Sequence, residues 1–435
     1  MRIAPKFALL MSVLLAAGMW LYVGRVLVPH QKMDAASRGA PRGNLSDLYP
    51  SWLGSRELLL RGVDPYSPEI TRQIQAGYYG RPINSTRKDD PTNQQAFAYP
   101  VYVAFVLAPT VKLPFSEVQE GFRWLLAGLT VLSVFLWLRV LGWQPSWTGS
   151  ATLLVLTFAS FPVVQGIKLQ QLSLAVAALI AGGVVLVVSD CLGWAGILLA
   201  LAMIKPQLTV PVVSWLLLWA FSSLRERWRF AASFVITVAA LIGGGEYLLP
   251  GWIGKFRIAI AAYRNYNDSH SLLDELITPA FGFPLAILIV AAVAVACWRG
   301  RKDRAGDDRF RWTTSLVLAV TLIIIPMFAP HYQLLLLPGA FLLLRSWRTL
   351  WKKNVAIRFL LAIGAAGVSW AWIAATALAF ASFFTPAAQR FWQLPLWTSV
   401  MIPLPMAACI GLIVHRMQSS GGSSLTAGVP TGKIT

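Results

Sequence analysis

One carboxylate stands out among the residues that could do chemistry. Asp47 follows a long apolar run and precedes a stretch rich in Trp and Leu, residues 52–60. Such a stretch can lie on a bilayer surface, and it would hold the carboxylate at the boundary between water and lipid. A carboxylate there could take a proton from a substrate hydroxyl. Asp is also a favoured helix N-cap, and residue chemistry alone favours that structural role for Asp47.

A cation and an imidazole follow in unusual places. Lys205 interrupts an apolar run immediately before Pro206. Because a charge at membrane depth is costly, we favour a functional role for the ammonium over the alternative, in which it snorkels to water. His331 follows Pro330 at the end of another apolar run. Its imidazole could donate a hydrogen bond to a ligand, although a single His at such a place is more often a structural polar tip.

Other polar groups lie at turns between apolar runs. Lys168 and Gln171 flank one turn, where amides could bond sugar hydroxyls or simply satisfy the loop backbone. Tyr99, beside Pro100, is typical of an aromatic anchor at the membrane interface. Asn267-Asp268-Ser269 has the form of a glycosylation acceptor but is more often a plain turn, and its Asp268 rivals Asp47 as a base.

The composition requires lipid as a solvent. Of 435 residues, 57% are hydrophobic and 13% are charged, which excludes a water-soluble domain and a disordered chain. The net charge of +19 is concentrated in short loops, without basic stripes and interleaved aromatics, so we expect no nucleic-acid partner. Neither the three cysteines nor the four histidines form a metal-type pattern, and we expect no metal and no cofactor.

These residues must be positioned by helices that cross a bilayer. The sequence predicts an all-α integral membrane protein of about twelve spans, because apolar runs of about 20 residues recur along it. The predicted spans are Phe7–Val28 and residues 120–141, 149–165, 170–188, 191–204, 206–222, 230–250, 283–298, 312–329, 332–345, 358–381 and 397–415. Residues 98–111 are short and flanked by prolines, which predicts a half-crossing element.

Basic loops set the expected orientation. Arg225, Arg299 and Arg345 each begin or belong to a cluster of basic residues, and such clusters stay in the cytoplasm. The long segment 29–97 and the loop 251–282 then lie outside. Within that loop, residues 252–264 predict a basic amphipathic helix in the headgroup layer. Residues 1–417 form the predicted membrane domain, and 418–435 a disordered cytoplasmic tail.

The ordered motifs resemble glycosyltransferase family 87. They are Asp47, Gly62-Val63-Asp64-Pro65-Tyr66, Phe97-Ala98-Tyr99-Pro100, Lys205-Pro206 and His331-Tyr332. The resemblance runs from Asp47 to about Pro338. It departs at Tyr99-Pro100-Val101, where the family has Tyr-Pro-Pro, and at Gln170-Gln171, where it has a Gly-Gln turn.

The resemblance implies a polytopic GT-C fold with a long first external loop. It further implies transfer of a sugar, such as mannose, from a polyprenyl-phosphate donor to a lipid-linked or cell-envelope glycan acceptor. Asp47 would be the catalytic base, and a single displacement would invert the anomeric configuration. Lys205 and His331 would contact the phosphate. Further binding residues would be Tyr99, Gln171, Asn267, Ser269, Asp64 and Tyr66.

The expected location and two alternative functions follow from the same features of the sequence. We expect the cell membrane, the inner membrane of a bacterium, with the site on the external face among membrane lipids. A lipid-linked sugar transporter or flippase is the alternative from another class. It would require paired broken helices and charges near the bilayer midplane, and no clear internal repeat supports it. The same chemistry with an arabinosyl donor is the other alternative.

Overall fold

The computed structural model describes residues 5–37, 43–84, 86–87, 90–91, 93–266, 270–327 and 329–419. Within these residues the chain contains helices and no strand. The absence of strands agrees with the composition, because apolar segments in lipid must satisfy their backbone hydrogen bonds internally. Three parts of the chain follow in order.

The N-terminal part contains two long helices and four shorter ones. A π-helical turn, Val23–Leu27, joins the first two helices, and a 3-10 turn, Ala108–Thr110, follows the fifth. The helices are α1 (Pro5–Tyr22), α2 (Val28–Ser37), α3 (Tyr49–Arg61), α4 (Pro68–Tyr79), α5 (Val103–Leu107) and α6 (Phe115–Val140).

The central part contains six helices. A 3-10 turn, Ala202–Ile204, separates the fourth from the fifth and ends at Lys205. The helices are α7 (Trp147–Phe158), α8 (Phe161–Lys168), α9 (Leu172–Val188), α10 (Leu192–Leu201), α11 (Pro206–Phe221) and α12 (Leu224–Leu248).

The C-terminal part contains eight helices and three 3-10 segments. The 3-10 segments are Pro330–Leu336, Pro386–Phe391 and Leu394–Trp397. The helices are α13 (Trp252–Tyr266), α14 (Leu272–Ile277), α15 (Pro279–Gly300), α16 (Asp308–Ile324), α17 (Leu337–Lys353), α18 (Val355–Ala381), α19 (Thr398–Met401) and α20 (Pro403–Ser419).

Six helical segments among the described residues are long and apolar enough to cross a bilayer. A seventh crossing results if α7 and α8, which meet at a 54° bend, count as one span. The protein is therefore a multi-pass membrane protein. The six segments are Pro5–Asp34, Phe115–Val140, Leu224–Leu248, Pro279–Gly300, Val355–Ala381 and Pro386–Ser419.

Several predicted spans fold as shorter helices. Residues 172–188, 192–204 and 206–221 form apolar helices of 17 residues or fewer, and α16 has 17 residues. Twelve spans therefore stay a prediction. Residues 103–110 form only a one-turn helix and a 3-10 turn, which together are too short to cross the hydrocarbon layer.

The segment between the first two long helices folds onto the bundle through its own apolar cluster. Trp52 and Leu53 of α3 pack with Ile70 and Ile74 of α4 in this cluster. Phe97 belongs to it as well and lies against α3 at Gly54, where a Cβ would be only 2.3 Å from its ring. This packing fixes the start of α3, and hence Asp47, against the membrane helices.

Close packing of α10 on α12 positions the turn that carries Lys205. A Cβ at Gly196 would lie 2.6 Å from the Phe230 carbonyl oxygen and 2.7 Å from the Phe234 backbone nitrogen. The two helices therefore approach each other at a residue without a side chain.

We expect Gly196→Ala to lower the free energy of unfolding by about 1–3 kcal/mol, because the added methyl group meets backbone atoms that cannot rotate away. Gly193→Ala, on the same helix with nothing within 4 Å, is the control and should be neutral or slightly stabilising. Thermal unfolding of the detergent-purified variants measures the difference. Equal midpoints for the two variants would contradict the close contact.

Candidate active site

Asp47 is held in place from three directions. Its backbone N–H donates to the Leu169 carbonyl at 2.9 Å. One carboxylate oxygen accepts from the Tyr78 hydroxyl at 3.1 Å, and the other accepts from the side-chain amide of Gln171. The helix that follows has Leu48 at its N-cap and no side-chain cap. The simple capping role for Asp47 is therefore wrong, because its carboxylate turns to Tyr78 and Gln171 instead.

Gln171 connects this carboxylate to a buried ammonium. The Lys205 Nζ donates to the Gln171 side-chain oxygen at 2.8 Å, while the amide nitrogen of the same Gln171 donates to Asp47. Lys205 is only 5% exposed. Its ammonium faces inward rather than snorkelling, because the chain breaks between α10 and α11 and Pro206 begins the next helix. We call this chain of hydrogen bonds the Asp47–Gln171–Lys205 bridge.

Aromatic rings surround the ammonium end of the bridge. The Lys205 Nζ lies 5.7 Å from the ring centre of Tyr99 and 5.6 Å from that of Tyr332. His331 packs edge-on against Tyr332, with ring centres 4.6 Å apart. His331 is buried, and its Nδ1 has no hydrogen-bond partner among the described residues. An imidazole with a spare nitrogen can still bond a ligand.

All of these groups meet at one cavity of about 440 Å³. Asp47, Gln171, Lys205, Tyr99 and His331 line it. The opposite wall comes from α13 and from the segment before His331. That wall consists of Phe256, Ile260, Tyr263, Arg264, Ile325, Pro326 and Met327. The cavity thus joins a charged end to a wall that is mostly apolar apart from Tyr263 and Arg264, which suits a ligand with a polar head and a hydrocarbon part.

Burial shifts the ionisation of the three groups at the turns. Desolvation raises the pKa of Asp47 above its usual range, opposed by the Gln171 hydrogen bond, the Lys205 charge and the Tyr78 hydrogen bond. Desolvation lowers the pKa of Lys205 to about 8, although the Asp47 charge opposes the change. Burial, and then the Lys205 charge, bring the pKa of His331 well below its usual value, so its imidazole is neutral at pH 7.

Two predicted binding residues contact residues near the cavity without lining it themselves. Asp64 pairs with Lys255 of α13 at 2.8 Å and accepts from the Tyr66 backbone N–H at 2.9 Å. The Tyr66 hydroxyl donates to the Tyr99 carbonyl at 2.6 Å. Neither Asp64 nor Tyr66 is among the described residues that line the cavity. Their position indicates that they fix α13 and Tyr99 rather than touch a ligand.

The other predicted site residues fall in different places. Lys168 donates to Gln31 at 2.5 Å and lies near Asp47 without lining the cavity. Asn267, Asp268 and Ser269 lie outside the described residues. The predicted amphipathic helix is present as α13, and it supplies four side chains to the cavity wall.

Tyr78 was not predicted as a site residue. Tyr263 and Arg264 were predicted only as members of the basic amphipathic helix at residues 252–264, which would seat the lipid donor, and not as residues of the cavity. Tyr78 has no comparable signal, since it reaches Asp47 across 31 positions of sequence. Among the described residues, no three His, Cys, Asp or Glu side chains group as metal ligands.

One comparison with known families gives a match. Residues 97–330 match the model of glycosyltransferase family 87, which includes Tyr99, Gln171 and Lys205 but neither Asp47 nor His331. No curated protein and no solved structure matches the chain. Because the match covers more than half of the sequence, this chain belongs to glycosyltransferase family 87 and is a glycosyltransferase.

Proposed function

We propose that the enzyme transfers a sugar, a hexose such as mannose, from a polyprenyl-phosphate donor to a lipid-linked or cell-envelope glycan acceptor. The Asp47–Gln171–Lys205 bridge carries this proposal, because it brings a carboxylate and an ammonium to one cavity. A transfer between a hydroxyl and a phosphate-activated sugar needs both charges. The acceptor oxygen must lose a proton, and the departing phosphate must meet positive charge.

Asp47 is suited to be the base. Tyr78 and Gln171 each occupy one of its carboxylate oxygens, and each oxygen retains a second acceptor position for a substrate hydroxyl. As the acceptor oxygen bonds to the anomeric carbon, its proton passes to Asp47 and the carbon–phosphate-oxygen bond breaks. Polyprenyl phosphate leaves from the opposite face of the sugar, so the configuration at the anomeric carbon inverts.

Lys205 is suited to stabilise the leaving phosphate. Arg264 lines the same cavity and provides a second cation, and neutral His331, whose Nδ1 has no partner in the described part of the chain, lines it as well. Charge-assisted hydrogen bonds to phosphate are strong where water is excluded. The apolar wall at Phe256 and Ile260 would contact the first isoprene units of the donor.

A second cavity supports a separate entry for the acceptor. It has a volume of about 300 Å³ and shares Asn93 and Gln95 with the catalytic cavity. Tyr78, which donates to Asp47, also lines it. Its wall is rich in polar side chains, including Arg81, whose guanidinium pairs with Asp90. A hydroxyl-rich glycan would find donors and acceptors there, within reach of the base.

The fold and location are part of the proposal. We propose a GT-C architecture for the membrane domain, residues 1–417, with the site on the outer face of the cytoplasmic membrane of a bacterium. The basic clusters at the start of α12, after α15 and at the end of α17 support this orientation, because basic residues next to membrane spans stay in the cytoplasm. The segment 29–97 and α13, which both contribute to the cavity region, would then face the outside.

Asp47→Asn should abolish transfer, lowering the rate at least about 100-fold, because an amide cannot accept the hydroxyl proton. Membranes carrying each variant are offered radiolabelled polyprenyl-phosphate mannose and polyprenyl-phosphate arabinose, and new glycosidic bonds are counted. Asp190→Asn is the matched control, since Asp190 lies in the loop after α9, away from the cavity. Normal transfer by Asp47→Asn contradicts the base, whereas movement of labelled lipid without bond formation favours a flippase.

Tyr78→Phe should move the acidic limb of the pH–rate profile to higher pH. The Tyr78 hydroxyl stabilises the ionised carboxylate, so its removal raises the pKa of Asp47 further. The base must be ionised, and activity is therefore lost at a higher pH as the medium is acidified, while the rate above that limb changes little. Tyr79→Phe is the control, because its hydroxyl donates to the Asn93 carbonyl instead. Coincident acidic limbs for wild type and Tyr78→Phe would contradict this link.

A further inference from the structure

A groove that shares no lining residue with the catalytic cavity lies between α15, α16 and α20. Its volume is about 390 Å³, and its wall is almost entirely aliphatic. Small residues on two helices leave it open, namely Ala292 and Ala296 on α15 and Ala407, Ala408 and Gly411 on α20. Leu316 and Val320 of α16 form its floor. Most of α15 outside this contact is exposed, so the groove opens to the surrounding lipid.

The groove is at least as long as one leaflet of a bilayer is deep. At 1.5 Å per residue, its lining runs about 15 Å along α15, from Ile289 to Arg299, and about 21 Å along α20, from Leu404 to Gln418. The hydrocarbon core of a bilayer is about 30 Å thick, so one leaflet is about 15 Å deep. The groove can therefore hold most of one acyl chain along its length.

One end of the groove is cationic. Arg299 and His415 line that end, and Arg301, Lys302 and Arg304 follow in the adjoining loop. Arg301 is occupied, because its guanidinium lies 3.9 Å from the Trp298 ring centre. Arg299 has no hydrogen bond or ion pair with a described residue. Gln418 donates to the Ala296 carbonyl at 2.9 Å and links α20 to α15 at this end.

We propose that this groove binds an anionic phospholipid, with one acyl chain between α15, α16 and α20 and the headgroup phosphate at Arg299. The length of the aliphatic groove accommodates an acyl chain, and its cationic end favours a lipid headgroup with a net negative charge. Basic pockets between membrane helices attract anionic headgroups through the same combination. The site is separate from the Asp47 cavity and does not depend on the proposed reaction.

Native mass spectrometry of the detergent-purified protein, with phosphatidylglycerol and phosphatidylcholine of identical chains, tests the site. We expect wild type to retain phosphatidylglycerol at least 10-fold better than phosphatidylcholine. Arg299→Gln should remove most of this preference, and Gly411→Leu should fill the groove and remove the retained lipid. Arg348→Gln makes the same charge change on α17, away from the groove lining and from the loop after α15, and Gly364→Leu adds the same side chain to α18, where nothing lies within 4 Å. Both controls should resemble wild type.

The proposal is overturned if wild type retains the two lipids equally, or if Arg299→Gln and Arg348→Gln have the same effect. It is also overturned if Gly411→Leu and Gly364→Leu retain equal amounts of phosphatidylglycerol. Size-exclusion profiles identify a variant that has lost its fold. If Gly411→Leu is such a variant, Ala408→Leu fills the groove in its place. Because no step of this experiment measures sugar transfer, failure here leaves the proposed reaction standing, and failure of the reaction leaves this site standing.

Discussion

The site depends on two opposite charges, a buried ammonium and a half-buried carboxylate, that are joined through a shared amide. Removing a carboxylate or an ammonium from water costs several kcal/mol for each ion, unless partners and hydrogen bonds replace the lost hydration. In this protein Gln171 accepts from Lys205 and donates to Asp47, and Tyr78 donates to the same carboxylate. Loss of any one member would leave a buried charge less compensated.

Two interruptions of the helices position the members of the bridge. Gln170 adopts φ +50°, an uncommon conformation for a residue with a side chain, and so aims Gln171 at the start of α9 toward the cavity. The Gln170 side chain stabilises this turn by donating to the Ile167 and Lys168 carbonyls, both at 2.8 Å. On the other side, the break before Pro206 turns Lys205 inward. Two chain interruptions, rather than two regular helices, therefore determine where the charges meet.

The sequence predicted the residues better than their connections. Lys205 was identifiable because a charge in an apolar run is costly and therefore indicates a function. Asp47 was identifiable because it follows the first predicted membrane span. The contact between Gln171 and Asp47 spans 124 positions, and no local pattern encodes such a distance. The number of spans was less predictable, since hydropathy detects apolar segments but not the breaks at 158–161 and 202–206 that divide or shorten their helices.

The bridge also bears on whether Asp47 acts or merely supports the fold. The family match covers Gln171 and Lys205 but begins after Asp47, so the hydrogen bond from Gln171 ties the carboxylate to the matched region. A purely structural link between these loops would be more stable with neutral groups, because a buried ion pair often contributes less to stability than an uncharged replacement of the same shape. Two charges that Gln171 joins at the wall of a cavity, with acceptor positions still open on Asp47, lower the stability of the fold but leave the carboxylate able to react. That balance favours catalysis.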